Sequence, residues 1–200
     1  MTDPCDFEAA RKKYLPNPIK LIFVAEAPPA SDSGRFFYCV PVHKGDTLFL
    51  EMIKVLYPRH AGFVECVGDQ KAVFAAKQVR LQKAEFLNKF KNDGFYLVDA
   101  VENPMPDDAN TKVKEEVIRN SLSALTAKLW DLCRDHDTPI ILIGAPVHTV
   151  CSAALRAAKL RVLNEVSINT PAQGGQKQFR CKLRRILDLH QIVSSDNIPS

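Results

Sequence analysis

The sequence has no apolar run approaching the ~18 residues that a membrane-spanning helix requires. Its opening, Met1-Thr2-Asp3-Pro4-Cys5-Asp6, lacks the basic start and apolar stretch of a secretory signal, so a cytoplasmic protein is expected. The six cysteines, Cys5, Cys39, Cys66, Cys133, Cys151 and Cys181, form no Cys-x-x-Cys pair, and no His/Cys grouping has zinc spacing. In a reducing compartment they read as free thiols, mostly buried as small hydrophobes, with no metal site. Dinucleotide and triphosphate chemistry lack their loops: there is no Gly-x-Gly-x-x-Gly and no Gly-Lys-Ser/Thr. The Gly-x-Ser-x-Gly elbow of a serine hydrolase is missing too. Cys151 to Arg156 falls one residue short of the Cys-x5-Arg of cysteine phosphatases, and its apolar interior reads as helix packing. No internal repeat, low-complexity segment or linker divides the chain, which predicts one domain over 1–200 with a polar tail after about 193.

What is present is ordinary globular material: 46% hydrophobic and 25% charged residues in 200, enough to bury a core without staples. The net charge of +4 is mild, but its distribution is uneven. From Arg156 to Arg185 the basic residues are Arg156, Lys159, Arg161, Lys177, Arg180, Lys182, Arg184 and Arg185, opposed by Glu165 and by no other acid before Arg185. Such a stretch either meets phosphates or is a solvated face.

Short β-branched runs at 19–24, 95–98, 139–143 and 165–168 read as strands. Helical spacing predicts a helix after Asp46, which would cap it, and further helices over 75–92, 112–135 (capped by Thr111), 149–159 and 176–190. Strands alternating with helices predict an α/β fold, a three-layer α/β/α sandwich around a central, mainly parallel four-stranded sheet.

In open α/β sheets, ligands bind beyond the carboxyl ends of the strands. The four strands deliver Glu26, Asp99 with Asn103, His148 and Asn169 to that rim. A carboxylate there suits a base or a polar grip. Each residue also has a structural reading: Glu26, Asp99, Asn103 and Asn169 as turn organisers, and His148 as a packing or capping residue. Phe36-Phe37-Tyr38 is an aromatic run in a polar loop, suited to core anchoring or to stacking on a flat ligand.

From the first strand onward the chain resembles the uracil-DNA glycosylase superfamily. Ala25-Glu26-Ala27-Pro28-Pro29 is similar to the Gly-Glu-Ala-Pro-Gly of several members, followed by a loop with glycine and aromatics, Gly34-Arg35-Phe36-Phe37-Tyr38. Phe95-Tyr96-Leu97-Val98-Asp99 resembles the second strand, Ile140-Ile141-Leu142-Ile143-Gly144-Ala145 the third, and Asn169-Thr170-Pro171 stands where the family has His-Pro-Ser. Departures are Ala25 and Pro29 for glycines, Asp99 for a base-reading asparagine, and Asn169 for histidine. The iron–sulfur cysteines of some members are not matched in spacing, so no cluster and no other cofactor is expected.

The resemblance implies a DNA glycosylase-like protein that flips a damaged base into a cleft and hydrolyses its N-glycosidic bond. Glu26 and Asn169 would be catalytic, with Phe37, Tyr38, Asp99 and His148 around the base. Lys177, Arg180 and Lys182 would hold the DNA phosphates. The alternatives are a non-catalytic nucleic-acid-binding module of that fold, or a hydrolase of a small nucleoside-like metabolite.

Overall fold

Strands buried on both faces read as unbroken hydrophobic runs, and that is how the sheet is written into this chain. In the computed structural model, which describes residues 6–29, 35–40, 45–65, 72–106, 109–133, 137–172 and 174–196, strand β1 is Leu21–Ala25, β2 is Phe95–Asp99 and β3 is Ile140–Leu142. Every residue of the three is buried. They pair in parallel in the order β2-β1-β3. The register runs from Leu21 opposite Phe95 to Ala25 opposite Asp99, and from Ile22 opposite Ile140 to Val24 opposite Leu142.

Among the described residues the helices are α1 (Phe7–Lys13), α2 (Thr47–Leu56), α3 (Ala76–Leu81), α4 (Lys83–Asn92), α5 (Thr111–Leu132), α6 (Ala145–Ala157) and α7 (Gln176–Leu189). Helix α4 packs on β2, α6 on β3, α5 on α6 and α2 on α7.

The expected fourth strand does not form among the described residues. The chain beside β3 makes only single parallel bridges, Ile140 with Val162 and Ile143 with Ile168. Between them a side chain replaces the backbone ladder. Asn164, 1% exposed, accepts from the Leu142 N–H through Oδ1 at 2.9 Å and donates to the Leu142 carbonyl through Nδ2 at 3.1 Å. The opposite edge is finished in the same manner. The Tyr38 hydroxyl accepts from the Leu97 N–H at 2.7 Å and donates to the Leu97 carbonyl at 3.1 Å. Buried backbone groups left without partners are costly, so Asn164→Ala should destabilise the fold by about 1–3 kcal/mol. A lower urea midpoint with an unchanged slope is the expected readout.

Several helix boundaries differ from expectation for local reasons. Helix α1 has no counterpart in the sequence reading; Asp6 caps it by accepting from the Glu8 and Ala9 N–H groups, each at 3.0 Å. The 75–92 helix is interrupted at Gln82, giving α3 and α4. Asp46 does not cap α2, because its carboxylate is turned to the Arg80 Nε at 2.7 Å. Asn110, not Thr111, caps α5. Helix α6 starts at Ala145 rather than Thr149. Gly144, at φ +109°, turns the chain directly out of β3, and Pro146 sits in the first turn, where its missing N–H is no loss.

The polar tail is fastened rather than frayed up to Asp196. The buried Ser194 hydroxyl donates to the Leu56 carbonyl, and Asp196 accepts from the Arg59 N–H at 2.7 Å. Among the described cysteines, Cys133, Cys151 and Cys181 are free thiols, but Cys39 is disulfide-bonded, against the free-thiol expectation. Cys5 and Cys66 lie outside the described residues. Burial pushes the Cys151 thiol up to about 12, the reverse of what a nucleophilic thiolate needs. Among the described residues no helix is long and apolar enough to cross a membrane.

Candidate functional site at the carboxyl end of the sheet

Strand β1 ends in the middle of the sheet, so the residues that follow it are flanked on both sides. Glu26 is the first of them, half-buried, with its backbone carbonyl accepting from the Val101 N–H at 3.1 Å. Its carboxylate accepts from Lys114 Nζ, on the first turns of α5, at 3.0 Å. The other oxygen lies over the start of α6: a Cβ built on Gly144 would come within 2.8 Å of Glu26 Oε1. Gly144 is therefore fixed twice, by its positive φ and by the carboxylate above it. Asn169 follows Ile168, whose carbonyl accepts from the Gly144 N–H at 2.7 Å. Glu26, Asn110, Lys114, Pro146 and Asn169 together line an open pocket of about 350 Å³.

A second pocket, of about 210 Å³, lies on the other side of the β1 terminus. Its walls include Ala25, Ala27, Phe36, Phe37 and Phe49, with Asp99 among them. Ala25 and Ala27 line this pocket and Glu26 the other, as the alternation of an extended chain requires. Phe37 is 5% exposed and packs edge-on against Phe49, with ring centres 5.7 Å apart. Asp99 is ion-paired to Arg11 Nη2 of α1. Burial pushes the Asp99 carboxyl above its ordinary value, while the Arg11 guanidinium draws it back down.

Lys83 stands behind this pocket with no exposed surface. Its ammonium donates to the Phe36 carbonyl at 3.1 Å and lies 4.6 Å from the Phe49 ring centre. Burial pushes its amine down from the ordinary 10.5 to about 7. The unfolded chain thus binds more protons than the folded one between these values, so this group's contribution makes stability rise with pH across that window. The penalty is full below pH 7. From pH 7 to pH 9 the contribution should be about 2 kcal/mol, and Lys83→Met should remove it. Urea unfolding of both proteins at the two pH values is the check.

The remaining sequence candidates sit elsewhere. The Tyr38 ring is in the core, its hydroxyl committed to the edge of β2. His148, half-buried on α6, places Nε2 3.2 Å from the Asn164 carbonyl. Asn103 is exposed and lines neither pocket. Lys177 is exposed in the first turn of α7. Arg180 is buried between Glu51 and Glu65, and Lys182 Nζ donates to the Ser167 carbonyl at 2.7 Å. The site thus gathers Glu26 with Asn169 in one pocket and Phe37 with Asp99 in the next.

No protein-family model matches the chain, and no curated protein does. The two pockets alone bear on function.

Sequence reasoning missed two residues that shape them. Lys114 had a legible signal, since a cation one turn into the helix after β2 faces the same rim. Arg11 had none, because α1 was not recognised and its reach to Asp99 spans most of the first hundred residues. Chemically, the first pocket offers a carboxylate held between a lysine and a helix start. The second offers flat apolar walls with a carboxylate, Asp99, and a guanidinium, Arg35, in its lining.

Proposed function

We propose that this chain is a divergent member of the uracil-DNA glycosylase superfamily that hydrolyses an N-glycosidic bond. The three-layer arrangement belongs to the same proposal. Right-handed crossovers from β1 to β2 and back over β1 to β3 would set α2–α4 on one face of the sheet and α5 on the other. The observation that carries the reading is the pairing of pockets across the end of β1. A nucleoside laid over that end has its base beside Phe37 and Asp99 and its sugar beside Glu26.

Glu26 then orients or deprotonates the water that attacks C1′. Lys114 holds the carboxylate in place, and Asn169 donates to the departing base. In DNA the base must first leave the stack, at a cost of a few kcal/mol. A base-release assay tests this, using single- and double-stranded oligonucleotides carrying uracil, cytosine, hypoxanthine or xanthine, and the corresponding free nucleosides. Release that disappears in Glu26→Ala supports the reading. Absence of release from every substrate by folded protein removes it.

One observation favours the small-molecule form of the same chemistry. Arg180 and Lys182, which a DNA-bound form would turn to phosphates, are spent on Glu51, Glu65 and the Ser167 carbonyl. A free-nucleoside substrate needs no such contacts. Nucleoside hydrolysis that is insensitive to salt would select it over DNA, whose binding weakens steeply as salt rises.

A further inference from the structure

The 210 Å³ pocket holds more information than the position of a base, because its lining sets two charged side chains, Arg35 and Asp99, among apolar ones. It is small beside the ~300–1,000 Å³ of drug-sized sites, which suits a single flat ring. The rings of Phe36, Phe37 and Phe49 and the side chains of Leu48 and Leu97 give apolar walls. Asp99 contributes an acceptor to that lining. Its Oδ2 is held by Arg11 Nη2, so the carboxylate cannot swing. Among the described residues its Oδ1 accepts no hydrogen bond, and it is not among the sealed-off polar atoms of the core. It is left facing the pocket that Asp99 lines.

We propose that this pocket selects a heterocycle bearing an exocyclic amino group over one bearing a carbonyl at the same position, with Asp99 Oδ1 as the acceptor and Arg11 as its positioning residue. An ionised carboxylate accepts but does not donate. A ring amino group meets Oδ1 with a charge-assisted hydrogen bond. A ring carbonyl at the position that meets Oδ1 brings a second set of lone pairs against it and leaves both groups unpaired there, whatever Arg35 does elsewhere in the lining, and sites reject analogues that lack such a contact. Cytosine and uracil have the same outline and differ in this group, so they isolate the effect. The assignment rests on the base lying in this pocket, as in the proposed function, but not on any bond being broken.

The test is equilibrium binding of free cytosine and free uracil to the full chain by titration calorimetry. Cytosine is expected to bind at least tenfold more tightly. Asp99→Asn, whose amide both donates and accepts, should bring the ratio to near one or invert it. Removing that charge strands Arg11, so the paired variant Arg11→Met with Asp99→Asn serves if the single one does not fold. Uracil binding as tightly as cytosine overturns the inference, and so does the absence of binding by either base at millimolar concentration. A cytosine preference without base release from any oligonucleotide or nucleoside would sink the hydrolase reading and leave the selectivity standing. Release of uracil without a cytosine preference would do the reverse.

Discussion

Arg180→Ala is expected to lower the stability of the fold by about 3–5 kcal/mol, the usual cost of removing one partner from a buried ion pair. The guanidinium is 9% exposed and serves two carboxylates. Nη1 donates to Glu51, and Nε and Nη2 donate to Glu65 at 3.1 and 2.6 Å. Its carbon also lies 5.2 Å from the Phe63 ring centre. Glu51 belongs to α2 and Arg180 to α7, so the pair ties together two helices packed on each other. Truncation leaves Glu51, 4% exposed, with Lys54 at 2.6 Å as its remaining partner. The measurement is the urea midpoint, with an unchanged slope marking a stability effect alone. Exchanging Arg180 and Glu51 together for apolar residues of like volume should cost far less, because no charge is then stranded. If nucleic acid is bound at all, the salt slope of binding should not change in Arg180→Ala, since this side chain faces glutamates rather than phosphates.

Glu26→Gln carries the largest expected effect on activity. General-base help is worth ~10²–10⁴-fold, so base release should fall by that factor while the fold survives. The amide has the size of the carboxylate and keeps the close contact over Gly144. Lys114, which loses its counter-charge, is 31% exposed and can be hydrated. Thermal unfolding close to that of the parent, together with a rate loss of that order, separates chemistry from folding. Retained release would take Glu26 out of the reaction.

The strands were legible because a doubly covered parallel strand is written as consecutive apolar residues, and 21–25, 95–98 and 140–142 are such runs. The rim followed from the strands for Glu26, whereas Asn169 was placed there by a fourth strand that does not form among the described residues and lines the same pocket through the single bridge at Ile168. Three things were not legible. Asn164 in place of a fourth strand depends on a side chain reaching across to Leu142, which no periodicity records. The burial of Arg180 and the binding of Lys182 depend on what α7 packs against, so the basic stretch read as a free surface. Tyr38, set beside Phe37 around a base by the resemblance, takes the other reading of the aromatic run, core anchoring, because consecutive residues of a turn face different ways.

The Tyr38 hydroxyl and the Asn164 amide bear on how this protein behaves in a crowd. Narrow parallel sheets end in rows of unpaired amides and carbonyls, which recruit strands from other chains and seed aggregates. Here the outward pair on each outer strand is already occupied, Leu97 by a phenol and Leu142 by a carboxamide. Neither substituent offers a further strand to build on. The molecule thereby gains protection against edge-to-edge association from its own interior side chains, without prolines on the edge strands and with their one charge, Asp99, turned to Arg11.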